Sequence, residues 1–322
     1  MTDIANISWI HWAGFIGAVL FFLALDLGVF HRKAHVVRFK EALAWTTFWF
    51  SLAMAFAFFV VPPDSRTEFV TGYILELSLS MDNVFVIALI FSYFRVRLEF
   101  QHRVLFWGIM GALVMRGIMI GLGAKLVAEF HWVLYFFGAF LVLSGVKMLF
   151  VDDDGVEPGK NPVIRLVRRM FPVTPDFVGQ KFTTRIDGTL YLTPLALVLV
   201  MVETTDLIFA VDSIPAIFGV TQKTFIVYTS NVFAILGLRS LYFVLAGMIG
   251  YFRFLKVGLS LVLIYIGIKM LGMLWGLKIA PNTSLVIVVS IISLSIAVSL
   301  AAARMARREK EAEKREDTEQ RE

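Results

Sequence analysis

The stretch EFVTGYILELSLSMDNVFVIALIF, residues 68–91, decides the fold of this chain. A helix needs about 20 apolar residues to cross the roughly 30 Å hydrocarbon core of a bilayer, and this run is long and apolar enough to do so. Yet within eight residues it holds Glu76, Ser78, Ser80, Asp82 and Asn83. A second run, PLALVLVMVETTDLIFAVDSIPAIF at 194–218, repeats the oddity with Glu203, Thr204, Thr205, Asp206, Asp212 and Ser213, followed by Pro215. A charge at the bilayer centre costs about 2.5 kcal/mol or more, so unpartnered carboxylates in two spans are not sustainable. Something positive must stand among them.

The rest of the chain supports a membrane setting. Of its 322 residues, 58% are hydrophobic and 17% charged, and the mean hydropathy is +0.78, far from the composition of a soluble domain. Apolar runs recur at about 9–30, 42–61, 70–92, 104–126, 132–150, 194–218, 226–251, 257–277 and 284–303. They predict an all-α membrane protein of nine transmembrane helices, one domain over residues 1–303 with a charged cytoplasmic tail at 304–322. The first run has the length of a span and lacks the features of a removable signal peptide, so it is expected to stay in the membrane. Cysteine is absent, which excludes disulfides, iron–sulfur clusters and thiolate metal sites and leaves oxygen and imidazole as ligands. The net charge of +5 does not point to nucleic acid, because the basic residues lie in loops between apolar runs rather than on one face.

Those loops alternate in charge. Arg32, Lys33, Arg38 and Lys40, then Arg95, Arg97 and Arg103, then Lys160, Arg165, Arg168, Arg169, Lys181 and Arg185 fall on one side, with Arg253, Lys256 and the basic residues from Arg304 onward. The opposite loops hold only Arg66, Lys125, Lys223 and Lys278. Positive charge marks the cytoplasmic side, so the N-terminus is expected outside and the C-terminus inside. The long stretch 151–193 is expected to be a cytoplasmic linker. Within it, PVIRLVRRMF spaces apolar and basic residues as a helix lying on anionic lipid would, and an ordinary solvated connector fits as well.

An internal echo runs through the spans. GVKML at Gly145–Leu149 returns as GIKML at Gly267–Leu271, 122 positions on; Arg116 corresponds to Arg239 at 123; Asp82-Asn83-Val84-Phe85 corresponds to Asp206-Leu207-Ile208-Phe209 at 124. Laying Asp82-Asn83 on Asp212-Ser213, at 130, is an alternative. Each unit, about 70–150 and about 194–277, holds three helices, the third to fifth and the sixth to eighth spans. Three is odd, so the second unit enters the membrane from the opposite side, as in transporters built from inverted repeats with a site at the midplane.

The carboxylates have two classes of partner. Arg116, Lys147, Arg239 and Lys269 also lie inside spans and can balance charge as buried ion pairs. The neighbouring Asn, Ser and Thr are neutral oxygen donors, which a salt bridge does not need and which Mg²⁺, Mn²⁺ or Ca²⁺ favour. At 100° per residue Glu76, Ser80 and Asn83 share one face, as do Glu203 and Asp206, while Asp82 and Asp212 fall off them. Pro215 removes a backbone hydrogen bond and is expected to kink the helix beside Asp212, turning that carboxylate inward. Asp26 is read as an interfacial cap or a partner of Arg32. His11, His31, His35, His102 and His131 lie near span ends, and the 13 methionines are scattered, so neither suggests a soft-metal path.

The strings LELSLSMDNVFV at 75–86, VETTDLIFAVDSIPAIF at 202–218 and SNVFAILGLRSLYF at 230–243 resemble the TerC/Alx family of bacterial integral membrane proteins, from about Asp26 to about Leu271. The resemblance implies a nine-helix protein of the bacterial cytoplasmic membrane, within the LysE-like transporter group, that exports Mn²⁺. It implies metal handling by Glu76, Asp82, Glu203, Asp206 and Asp212, with Asn83 and Ser213 as motif neighbours, and a link to tellurium resistance and alkaline stress. The family's second motif often has serine where this chain has Thr204-Thr205; both supply a hydroxyl.

The expected function is therefore divalent-cation transport with no enzyme activity and no prosthetic group. Mn²⁺ is the transported substrate, and the bilayer is the other partner. Arg116 and Arg239 would offset the site's charge between ions. An intramembrane aspartyl protease is disfavoured because no Gly-x-Gly-Asp string occurs, and HExxH and GxSxG are absent too. A membrane scaffold tied to tellurite or alkaline stress is the alternative.

Overall fold

The computed structural model describes residues 9–25, 39–150, 161–245 and 255–319. Apolar runs in lipid must satisfy their backbone groups internally, which leaves the helix as the local solution. The chain accordingly forms α1 (Trp9–Leu25), α2 (Phe39–Phe59), α3 (Arg66–Tyr93), α4 (Leu98–Glu129) and α5 (Val133–Phe150), then a short α6 (Pro162–Met170). After a hairpin come α7 (Pro194–Phe218), α8 (Thr224–Leu245), α9 (Leu255–Gly272) and α10 (Pro281–Glu319). Among the described residues, eight of these are long and apolar enough to cross a membrane, and the described apolar part of α1, Trp12–Leu23, is shorter. The protein is an all-α membrane protein. The tail from Arg304 continues α10 as a helix to Glu319. Asp26, Arg32, His31 and His35 lie outside the described residues.

Helix faces follow lipid and protein. On α4, Val114, Ile118 and Leu122 recur at four-residue spacing and are exposed, whereas Ala112, Arg116 and Ile120 are buried; the first set meets hydrocarbon and the second the bundle. Of all the helices, α8 is the most enclosed, lying against α2, α3 and α4.

The closest helix pair is α5 with α9, and small residues explain it. A Cβ on Gly145 would stand 2.8 Å from Ser260 O and 2.8 Å from the Ile264 side chain; one on Gly267 would stand 2.6 Å from Gly138 O and 2.8 Å from Val142. These contacts exchange under the 122-residue offset, since Gly138, Val142 and Gly145 correspond to Ser260, Ile264 and Gly267. The same pairs of positions thus meet in both directions across the two helices. Because backbone approaches backbone here, Gly267→Val is expected to force the helices apart. The cost should be about 1–3 kcal/mol, read as a lower thermal midpoint of the purified protein, with Ile268→Val on the exposed side as a neutral control.

Residues 161–193 are folded rather than a solvated connector. Asn161 caps α6 by accepting from Val163 N at 2.8 Å and Ile164 N at 3.3 Å, with Pro162 in the first turn. Thr183–Ile186 pairs antiparallel with Thr189–Leu192. The connecting Asp187 and Gly188 both have positive φ, 49° and 80°, as a two-residue type I′ turn demands. Ile164, Val167, Val173, Phe177 and Phe182 pack into the same apolar cluster as Val96, Phe100 and Leu195 at the ends of α3, α4 and α7.

Candidate functional site

Glu76, Ser80 and Asn83 lie at i, i+4 and i+7 on α3 and share a face. That face is turned fully inward: the three side chains are 0%, 1% and 3% exposed. Opposite them α4 brings Arg116, 2% exposed, and α7 brings Asp206 and Ser213, two turns apart. The guanidinium joins all three helices. Its Nη1 donates to Glu76 Oε1 and reaches Ser213 Oγ at 3.4 Å, while Nη2 donates to Asp206 Oδ1 at 2.9 Å and Nε to Asp206 Oδ2 at 3.3 Å. Asn83 Nδ2 donates to the same Asp206 Oδ1 at 3.3 Å. Two donors meeting two carboxylate oxygens is the planar pairing that arginine provides and lysine does not.

Arg116 therefore pairs with two buried carboxylates at once. Glu203 adds a third, one turn from Asp206 on α7 and acting on it electrostatically. Gly111 on α4 makes room for it, because a Cβ there would stand 2.0 Å from Glu203 Oε1. Gly111→Ala is expected to push the Glu203 carboxylate off α4. Because the clash is with the tip of a flexible side chain that can turn aside, purified protein should lose no more than about 1 kcal/mol, and shortening that side chain with Glu203→Ser in the same chain should recover the loss.

Four oxygens around this cluster are buried without a hydrogen-bond partner in the protein: Glu76 Oε2, Ser80 Oγ, Asn83 Oδ1 and Glu203 Oε2. An unsatisfied buried polar atom costs about 1–3 kcal/mol, so four in one place are costly for a purely structural core. Arg239 on α8, 8% exposed, borders with Asp206 a cavity of about 20 Å³ lined also by Ile87, Leu105 and Val202, room for roughly one water.

The remaining sequence-derived candidates lie elsewhere. α7 runs unbroken through Pro215, so Asp212 is not turned toward Arg116. Its Oδ1 instead accepts from Ser144 Oγ on α5 at 2.9 Å, with Lys147 as its nearby cation. Lys269 donates to Ser284 Oγ on α10 at 3.3 Å and acts on Glu68 rather than on the acidic cluster. Asp82 is half-buried and lies 100° round α3 from Asn83. The hydroxyls of Thr204 and Thr205 are engaged by the carbonyls of Val200 and Met201. Among the described residues, no three His, Cys, Asp or Glu side chains converge so as to hold a metal ion by themselves; Arg116 pairs with both Glu76 and Asp206.

Sequence reasoning passed over three residues. Ser144 and Gly111 gave no chemical signal. Asn231 did give one: it is an amide in the middle of α8, 0% exposed, with neither amide atom partnered, and its SNVF string echoes the DNVF of α3.

Comparison with known proteins agrees with this architecture. A membrane protein of Myxococcus xanthus, named only as uncharacterised, is 50% identical over 298 residues, 92% of this chain and 93% of its own length. A protein of Escherichia coli K12 named "Putative membrane-bound redox modulator Alx" is 47% identical over 272 residues, 81% of this chain and 85% of its own. An uncharacterised membrane protein of Rickettsia bellii is 41% identical over 261 residues, covering 80% and 86%. No solved structure matches. Residues 61–311, which include every residue of the Arg116 cluster, match the family described as "Integral membrane protein TerC family"; the chain belongs to the TerC family of integral membrane proteins.

Proposed function

We propose that this protein exports a hard divalent cation, Mn²⁺ above all, from the cytoplasm of a bacterial cell across its inner membrane, with the N-terminus outside and the C-terminus inside. The observation that carries the reading is the set of partnerless buried oxygens from Glu76, Ser80, Asn83 and Glu203 on the two helices that Arg116 ties together through Glu76 and Asp206. Carboxylate, amide and hydroxyl oxygens are the ligands such ions prefer.

Arg116 is the tethered competitor of the ion. A divalent cation entering among Glu76, Asp206 and Glu203 displaces the guanidinium, and its return expels the ion. Two three-helix units of opposite orientation supply the alternating access, and protons competing for the same carboxylates can drive the cycle. The reading involves no covalent chemistry and no prosthetic group. The name of the E. coli relative points to redox. This chain has no cysteine, so a redox influence would act through the metal it moves and not through thiols of its own.

Purified protein in vesicles loaded with a metal-sensitive dye tests the proposal, comparing Mn²⁺, Mg²⁺, Ca²⁺ and Zn²⁺ at two pH values. Mn²⁺ entry well above that of protein-free vesicles is expected; no metal entry at either pH would refute it. The scaffold reading predicts instead that neutralising the acids leaves the cellular phenotype intact while deleting residues 151–193 abolishes it.

A further inference from the structure

The short helix α6 takes no part in the cation site, and its surface is unusual for a loop between two spans. At 100° per residue its nine positions sort into three adjoining faces. Ile164 and Val167 face the protein, Ile164 being buried in the cluster that holds Leu195, the second residue of α7. Arg165, Arg168 and Arg169 form an exposed basic face. Between those two faces run Leu166 and Met170, 56% and 65% exposed, continued by the exposed Phe171 just past the helix. An apolar strip beside the protein, bounded on its far side by arginines and level with the end of a span, has the layout of a helix resting in the interfacial layer of a bilayer.

We propose that α6 is a docking surface for anionic lipid: Leu166, Met170 and Phe171 enter the acyl boundary while Arg165, Arg168 and Arg169 hold anionic headgroups. Charge complementarity selects this occupant. The basic face carries three arginines and α6 has no acidic residue, and cationic side chains close to an anionic leaflet each contribute roughly fivefold in association, the equivalent of about 1 kcal/mol. The exposed apolar strip fits hydrocarbon and does not suit water. The inference is independent of what the protein transports.

The chain lacks cysteine, so Met170→Cys places a single thiol for a fluorescent label in the full-length protein. In phosphatidylcholine vesicles containing phosphatidylglycerol, bromine is placed on the acyl chains of one lipid or the other, and quenching of the label is compared. Brominated phosphatidylglycerol should quench severalfold more strongly than brominated phosphatidylcholine at the same mole fraction. Arg165→Gln, Arg168→Gln and Arg169→Gln together should remove that preference. So should raising ionic strength from about 0.1 M to about 1 M, which shortens the screening length from about 10 Å to about 3 Å; this arm needs no further substitution. Equal quenching by both lipids, no quenching by either, or shielding of the label only after a soluble acidic polypeptide is added would each overturn the proposal, the last assigning the face to a protein partner.

Discussion

Replacing Arg116 by leucine is expected to leave little folded protein. The guanidinium is 2% exposed and pairs with Glu76, itself 0% exposed, and with Asp206. Removing one partner of a buried ion pair strands the other, at a cost of about 3–5 kcal/mol, a large share of the total stability of a typical protein. Fluorescence-detected size exclusion and thermal unfolding in detergent measure it. Adding Glu76→Gln and Asp206→Asn to Arg116→Leu removes the stranded charges and should restore a monodisperse peak without restoring metal movement. If the single variant were as stable as the parent, the buried network would not have the energetic role assigned to it.

The second large effect falls on transport. In cells loaded with manganese, Glu76→Gln or Asp206→Asn should lower Mn²⁺ efflux tenfold or more at matched protein levels, equivalent to at least about 1.4 kcal/mol on the barrier. Asp212→Asn should retain most of the flux, because Asp212 is held by Ser144 on α5 and stands apart from the Arg116 network. This ordering comes from tertiary placement, since all three carboxylates look alike in sequence. Equal losses for Asp206→Asn and Asp212→Asn would mean that the ion contacts both places during the cycle.

Much of the fold was legible in the sequence because its causes are local. Long apolar runs demand helices in a bilayer, and the spans read from hydropathy overlie the observed helices as far as the described residues run. The face of α3 bearing Glu76, Ser80 and Asn83 was legible for the same reason: a period of 3.6 residues puts them in line whatever surrounds them. Arg116 stood out as a rare cation that had to meet an anion. Rotation of one helix against its neighbours is different, because small-residue contacts such as Gly111 with Glu203 and Gly145 with Ser260 set it. The pattern within a single helix carries no trace of them. Hence Asp212, which a kink at Pro215 was expected to turn inward, accepts from Ser144 of α5, and Lys269, expected to balance the acids, donates to Ser284 with Glu68 nearby. The folded state of residues 161–193 was hidden for a related reason: Phe177 and Phe182 reveal their role only when the ends of α4 and α7 are beside them.

The competition between Arg116 and a cation for one set of carboxylate oxygens can be read directly by electron paramagnetic resonance. Mn²⁺ in water gives a six-line spectrum that broadens away on binding. Titrated into purified protein, the ion should lose that signal up to one equivalent per chain, and the Arg116→Leu, Glu76→Gln, Asp206→Asn triple variant, which strands no buried charge, should leave it untouched. Undiminished binding in that variant, or no binding by the parent protein, would contradict the account.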